Sequence, residues 1–228
     1  MLLGLATTAT AAFDDFKDVK GHWAESTLRQ AYADGILKGC DATTMAPNNS
    51  LSTAEAVTIL CRVLHVTGKG DTSDFEIPFR AWYQDEAAKA VYAGLLDESY
   101  GTDLTQPIAR GDAFRLFGNT FQLITAAPDI SVLNQFPDTA YLTGDVQKAA
   151  AALVEAGIVT GGDGRLQADK SLTRAEFATM LYRIAGIYTT SDRYVDNRST
   201  GAVISGDAYL MDRYAGKLWF DHSVSSIS

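Results

Sequence analysis

The side chains able to break bonds or hold a metal are few and badly placed for either task. Three histidines, His22, His65 and His222, stand far apart with no spacing that would gather a zinc ion, and the two cysteines, Cys40 and Cys61, form no CxxC pair. Neighbouring carboxylates, Asp14 with Asp15 and Asp85 with Glu86, have the composition of a glycosidase acid pair. Among 28 acidic residues such neighbours are inevitable, and they belong to solvated faces. The Asp163-Gly164 turn lacks the alternating carboxylates of a calcium loop. No GxSxG, P-loop or dinucleotide glycine pattern occurs. The sequence therefore gives no catalytic residue, no metal site and no cofactor, and what its side chains do depends on how the chain repeats itself.

It repeats three times. Leu172-Thr173-Arg174-Ala175-Glu176-Phe177 returns in altered form as Leu51-Ser52-Thr53-Ala54-Glu55-Ala56 and as Ile108-Ala109-Arg110-Gly111-Asp112-Ala113. Thr173 with Glu176 and Ser52 with Glu55 form capping boxes, in which hydroxyl and carboxylate each satisfy an orphan amide at a helix start. The middle copy has Ala109 at the cap, so its helix is expected to start less sharply, at a cost of about 1 kcal/mol. Ahead of each box lies a helical stripe ending in glycine and a branched apolar residue: Leu28, Ala31, Tyr32 before Gly35-Ile36; Ala87, Ala90, Val91 before Gly94-Leu95; Ala150, Leu153, Val154 before Gly157-Ile158. Glycine ends such a helix because it enters the left-handed region without a side-chain clash. After each box a second stripe follows: Val57, Leu60, Leu64; Phe114, Phe117, Phe121; Ala178, Leu181, Ala185. A lone helical hairpin cannot cover two stripes, so the three units are expected to pack together about a shared axis, large side chains of one against small ones of another.

A net charge of −9 argues against nucleic acid and against an anionic membrane surface as partners, and no apolar run is long enough for membrane insertion. Residues 1–12 read as the back half of a secretory signal, or else as a frayed terminus. Cys40 and Cys61 are open to pairing in an exported protein and equally to remaining free thiols. The tail after 187 carries two short apolar and aromatic runs, and reads as a β-hairpin or as the start of a further domain.

The ordered set Phe16-Lys17-Asp18-Val19, Gly21-His22-Trp23-Ala24, Gly35-Ile36, Gly39 and the Leu-Thr-Arg-Ala-Glu type segment resembles S-layer homology motifs over about residues 13 to 186. The resemblance implies an all-α fold: three tandem helix-loop-helix repeats in a pseudo-threefold spindle, motifs at 13–67, 68–126 and 127–187, and a short irregular or β-hairpin tail at 188–228. It implies no enzyme. The implied function is non-covalent anchoring of an exported protein to the bacterial cell envelope, through a secondary cell-wall polysaccharide bearing pyruvate ketals that binds in grooves between motifs. The implied location is secreted, on the cell wall or surface layer. Two rivals are the anchor of a polysaccharide hydrolase whose catalytic domain lies outside this chain, and a self-associating surface-layer module bridged by calcium.

By the same resemblance the ligand-binding residues are Arg110, Arg174, Trp23, Trp82, Gly39 and Gly161. Each arginine would grip a carboxylate with two parallel hydrogen bonds, aided by free amides and the positive end of a helix dipole. Removing both is expected to weaken wall attachment and leave helical content intact. The tryptophans offer a flat face to a sugar ring, or else pack half-buried between units. The glycines would let a ligand approach the backbone. Unit one has Thr53 at the arginine position and unit three has Asp145 at the tryptophan position, so units one and three each lack half of the pattern.

Overall fold

The structure, a computed structural model, describes residues 12–190 apart from 65, 122, 125 and 126, and side chains as far as 185. The expected signal segment, save Ala12, and the chain beyond 190 lie outside the described residues. These residues form six α-helices and three 3-10 turns with no strand among them: α1 Glu25–Ala33, α2 Thr53–Val63, α3 Gln84–Tyr92, α4 Arg110–Thr120, α5 Gly144–Glu155 and α6 Arg174–Thr190. The fold is all-α, built of three helix-loop-helix units: α1 with α2, α3 with α4, α5 with α6. Helix α6 runs to Thr190, so the segment expected to leave the helix at 188 is still helical for its first three residues.

Each unit turns in the same way. Gly35, Gly94 and Gly157 hold φ of 72°, 67° and 70°. The amides of Ile36, Leu95 and Ile158 donate back to Ala31, Ala90 and Leu153, which closes the first helix and aims the chain into its loop. The capping boxes form as the sequence dictates: Glu55 N donates to Ser52 Oγ and Ser52 N to Glu55 Oε2, while Glu176 N donates to Thr173 Oγ1 and Thr173 N to Glu176 Oε2. Ala109 offers no such cap. Arg110 N donates to Lys170 O and Gly111 N to Ala168 O, as the matching amides do at α2 and α6, so the first turn of α4 is held by the neighbouring unit but lacks the cap that the other two have.

The units are locked by a ring of backbone bonds. Leu51 N donates to Leu172 O, Leu172 N to Ile108 O, and Ile108 N to Leu51 O, each at 2.9 Å. The three repeated segments thus meet head to tail about a pseudo-threefold axis, with all three side chains buried. Around the ring α1 packs on α6, α3 on α2 and α5 on α4, so the first helix of each unit covers the second helix of the preceding one. Both expected stripes face the common core: Leu28, Ala31, Ala87, Ala90, Ala150 and Leu153 are buried, as are Val57, Leu60, Leu64, Phe114, Phe117, Phe121, Ala178, Leu181 and Ala185. Phe177, outside both stripes, joins them with its ring centroid 4.7 Å from that of Phe117.

Candidate functional site

The rotation that makes the ring also builds clefts, and each cleft takes residues from three units. One, of about 200 Å³, is lined by the loop and second helix of unit three (Ile158 to Gly161, Glu176, Thr179, Met180, Arg183), by Arg110 of unit two and by Trp23 of unit one. The other, of about 240 Å³, is lined by the same places in unit one (Ile36 to Cys40, Glu55, Thr58, Ile59, Arg62), by Arg174 of unit three and by Trp82 of unit two. Six residues expected from sequence to bind ligand are therefore sorted into two matching triplets, Trp23, Arg110 and Gly161, and Trp82, Arg174 and Gly39.

The tryptophans are the open wall. Both are 63% exposed, which decides against half-buried packing between units. Each sits in the turn just before a first helix, and His22 supports the turn of Trp23 by accepting from Ala24 N and pairing through Nε2 with Asn48 at 3.0 Å. The preceding turn needs a left-handed residue, supplied by Gly21 at φ 77° in unit one and by Arg80 at φ 63° in unit two.

The arginines are the floor, and they are already engaged. Arg174 is 7% exposed, with Nε donating to Met45 O at 3.1 Å, Nη2 to Lys38 O at 2.7 Å and Nη1 to Glu55 Oε1 at 3.4 Å. Arg110 donates through Nε to Leu166 O at 3.3 Å and through Nη1 to Glu176 Oε1 at 2.6 Å. Each guanidinium thus clamps the loop of a neighbouring unit and pairs with that unit's capping glutamate. The helix amides expected to be free are not. Arg174 N and Ala175 N donate to Asn49 O and Pro47 O, and the third amide goes to the capping box, so the first turn of α6 presents no open anion seat.

Gly39 and Gly161 line the clefts, but what forbids a side chain there is the protein itself. A Cβ at Gly39 would lie 2.4 Å from the Phe16 ring, and one at Gly161 2.7 Å from the Phe136 ring. The loops are held from beneath by carboxylates at matching positions: Asp18 accepts from Met45 N and Ala46 N, Asp138 from Leu166 N and Gln167 N. Burial works to raise the Asp138 carboxyl, and these amides outweigh it and bring it below its usual value. Cys40, at the rim of the Trp82 cleft, and Cys61, buried with its thiol pushed up to about 12 by burial, are both free, which closes the pairing question.

The third equivalent place is different throughout. There α5 lies on α4, with Val146 against Gly111, and Thr53 N donates to Gln106 O. Thr53 and Asp145, the two departures noted in separate units, thus belong to one and the same place. Its loop carries Asp97 and Glu98 where the clefts have Lys38 with Gly39 or Thr160 with Gly161. On α4, Arg115 stands where they have threonine, stacked 3.9 Å from the Tyr100 ring centroid. Asp112, without a cross-unit arginine, is pushed up by burial, against the opposing effect of Arg115 at 3.6 Å. Arg62 and Arg183, not among the residues expected from sequence to bind, hold equivalent places on the second helices and line the two clefts. Their signal was an arginine seven residues after the capping glutamate in units one and three, with Asn119 in unit two.

Residues 15–57 and 144–178 match the S-layer homology domain. The chain is 23% identical over 181 residues to the surface-layer 125 kDa protein of Lysinibacillus sphaericus, covering 77% of this chain and 15% of that protein. It is 23% identical over 179 residues to an amylopullulanase of Thermoanaerobacterium thermosulfurigenes, 75% of this chain and 10% of that one. It is 31% identical over 93 residues to a cellulosome-anchoring protein of Acetivibrio thermocellus, 40% of this chain and 21% of that protein. The chain spans about a fifth or less of the length of these relatives.

Proposed function

We propose that this chain, which carries S-layer homology domains, holds a longer exported protein at the bacterial cell surface by non-covalent binding of an anionic cell-wall polysaccharide, and that it acts as a binding module and not as an enzyme. The units at 13–67, 68–126 and 127–187 serve as its three motifs. The observation that carries the reading is the pair of matching clefts, each with an exposed indole over a basic floor, beside a third place that is acidic. An indole face stacks on a sugar ring, and the cations draw an acid group that a protein of net charge −9 would otherwise repel. The pyruvate ketal is the acid group this reading assigns, since it sets a carboxylate on the sugar itself. Two clefts bind, and the third, with Asp97, Glu98, Asp112 and Asp145, does not.

The relatives fit a module that travels with different cargo, for one is named a surface-layer protein, another an amylopullulanase and a third a cellulosome-anchoring protein. The test is retention of the whole chain on purified cell-wall sugar polymer. Trp23→Ala and Trp82→Ala, both at exposed positions, should each reduce retention, and the double variant should abolish it with thermal stability unchanged. Full retention of the double variant would refute the two-cleft reading, and equal binding to polymer stripped of pyruvate would refute the ligand.

A further inference from the structure

The two clefts match in shape and differ in what they leave unspent. In the Trp23 cleft, Arg183 Nη1 donates to Ile158 O at 2.8 Å, Thr179 Oγ1 donates to Ala175 O at 2.8 Å, and the loop carries the uncharged Thr160. In the Trp82 cleft, Lys38 replaces Thr160 and is exposed, and neither it nor Arg62 pairs with a carboxylate among the described residues. Thr58, the counterpart of Thr179, is 3% exposed, lines the cleft, and its Oγ1 has no hydrogen-bond partner among the described residues. A buried hydroxyl without a partner is costly unless a ligand completes it. The formal charges differ as well. Lys38, Arg62 and Arg174 face Glu55 alone, whereas Arg110 and Arg183 face Glu176, so the Trp82 cleft carries one more net positive charge.

We propose that the clefts are unequal in ligand class: the Trp82 cleft takes a saccharide unit bearing two negative charges, held by Lys38, Arg62 and the Thr58 hydroxyl, and the Trp23 cleft takes a singly charged unit more weakly. The proposal rests on the binding reading above and assigns its stronger site. A second anionic group gains a cation partner only where Lys38 and Arg62 are both free to turn toward it. One extra charge several ångströms away in a site open to solvent is worth about three- to tenfold in affinity.

The experiment follows the indole N–H signals of the full chain by proton–nitrogen NMR, assigned with Trp23→Phe and Trp82→Phe, during titration with glucuronic acid as the monoanion and glucose 6-phosphate at pH 7.5 as the dianion. The Trp82 signal should saturate at about three- to tenfold lower glucose 6-phosphate than the Trp23 signal, with a smaller ratio for glucuronic acid and a steeper loss of affinity with added salt at Trp82. Lys38→Thr, which gives the Trp82 cleft the same formal charge as the Trp23 cleft, should bring the two signals to about the same midpoint. Lys38 holds Arg174 through its backbone oxygen, so its side chain can be exchanged without touching that clamp. Equal midpoints in the unaltered chain, or a Trp82 preference that survives Lys38→Thr, would overturn the inequality and leave the two-cleft reading standing. Failure of both signals to respond to either sugar would overturn both.

Discussion

Replacing Arg174 by alanine separates a clamp from a ligand hand. Its guanidinium joins residues more than a hundred positions apart, donating from α6 to Lys38 O and Met45 O of unit one. A hydrogen bond from a charged donor contributes about 1.5–3 kcal/mol, and truncation leaves both carbonyls to find new partners. The Glu55 contact, at 3.4 Å with the carboxylate side chain 35% exposed, adds at most about 1 kcal/mol. Regained solvation of the removed charge offsets part of this, so Arg174→Ala should cost about 3–5 kcal/mol, a large share of the stability of an ordinary domain. Arg110→Ala, which loses one carbonyl contact at 3.3 Å and the Glu176 pair, should cost about half as much. Urea unfolding followed by circular dichroism at 222 nm reads both, with an unchanged slope against denaturant showing that the unfolded state is the same. A loss below about 1 kcal/mol for Arg174→Ala, or a larger loss for Arg110→Ala, would refute the reasoning. Removal of both arginines leaves the helical content intact only while the stability of the domain exceeds their combined cost, which the burial of Arg174 makes large.

Ala109→Ser should supply the missing cap at α4, whose backbone at that residue already matches Ser52, and raise stability by about 1 kcal/mol in urea melts. Arg80→Gly should also stabilise, by about 1 kcal/mol, because a side chain is held there at φ 63° where unit one uses glycine; a lowered melting temperature would count against it. Asp112→Asn tests the acidic third place. Burial raises this carboxyl in the folded state, so the folded form keeps its proton longer than the unfolded chain does. The resulting penalty is absent below the ordinary carboxylate range and grows as pH rises through the raised value. The variant should therefore gain stability at pH 7 and none at pH 3, and an equal gain at both would sink the assignment.

Much of the fold was written in the chain. Apolar residues at helical spacing, glycine at each first-helix end and a hydroxyl with an acid at two second-helix starts are local patterns, and local patterns act through bonds a few residues long. They determined the helices, the units and which faces go inward, and the resemblance drew notice to arginines, tryptophans and glycines that the structure gathers into two clefts. What the sequence could not determine was company. The ring through Leu51, Ile108 and Leu172 is made of backbone groups common to every residue, so no side chain announces which unit follows which around the axis. Only that rotation sets Trp82 and Arg174 over the loop of unit one and sends Thr53 and Asp145 to a single place. It also spends the helix amides and the guanidiniums on neighbouring carbonyls, and it leaves Lys38 and Arg62 without a carboxylate, and Thr58 without a hydrogen-bond partner, among the described residues. Burial and partnership come from the assembled units, and a residue's type states what it can bond but not what is within reach.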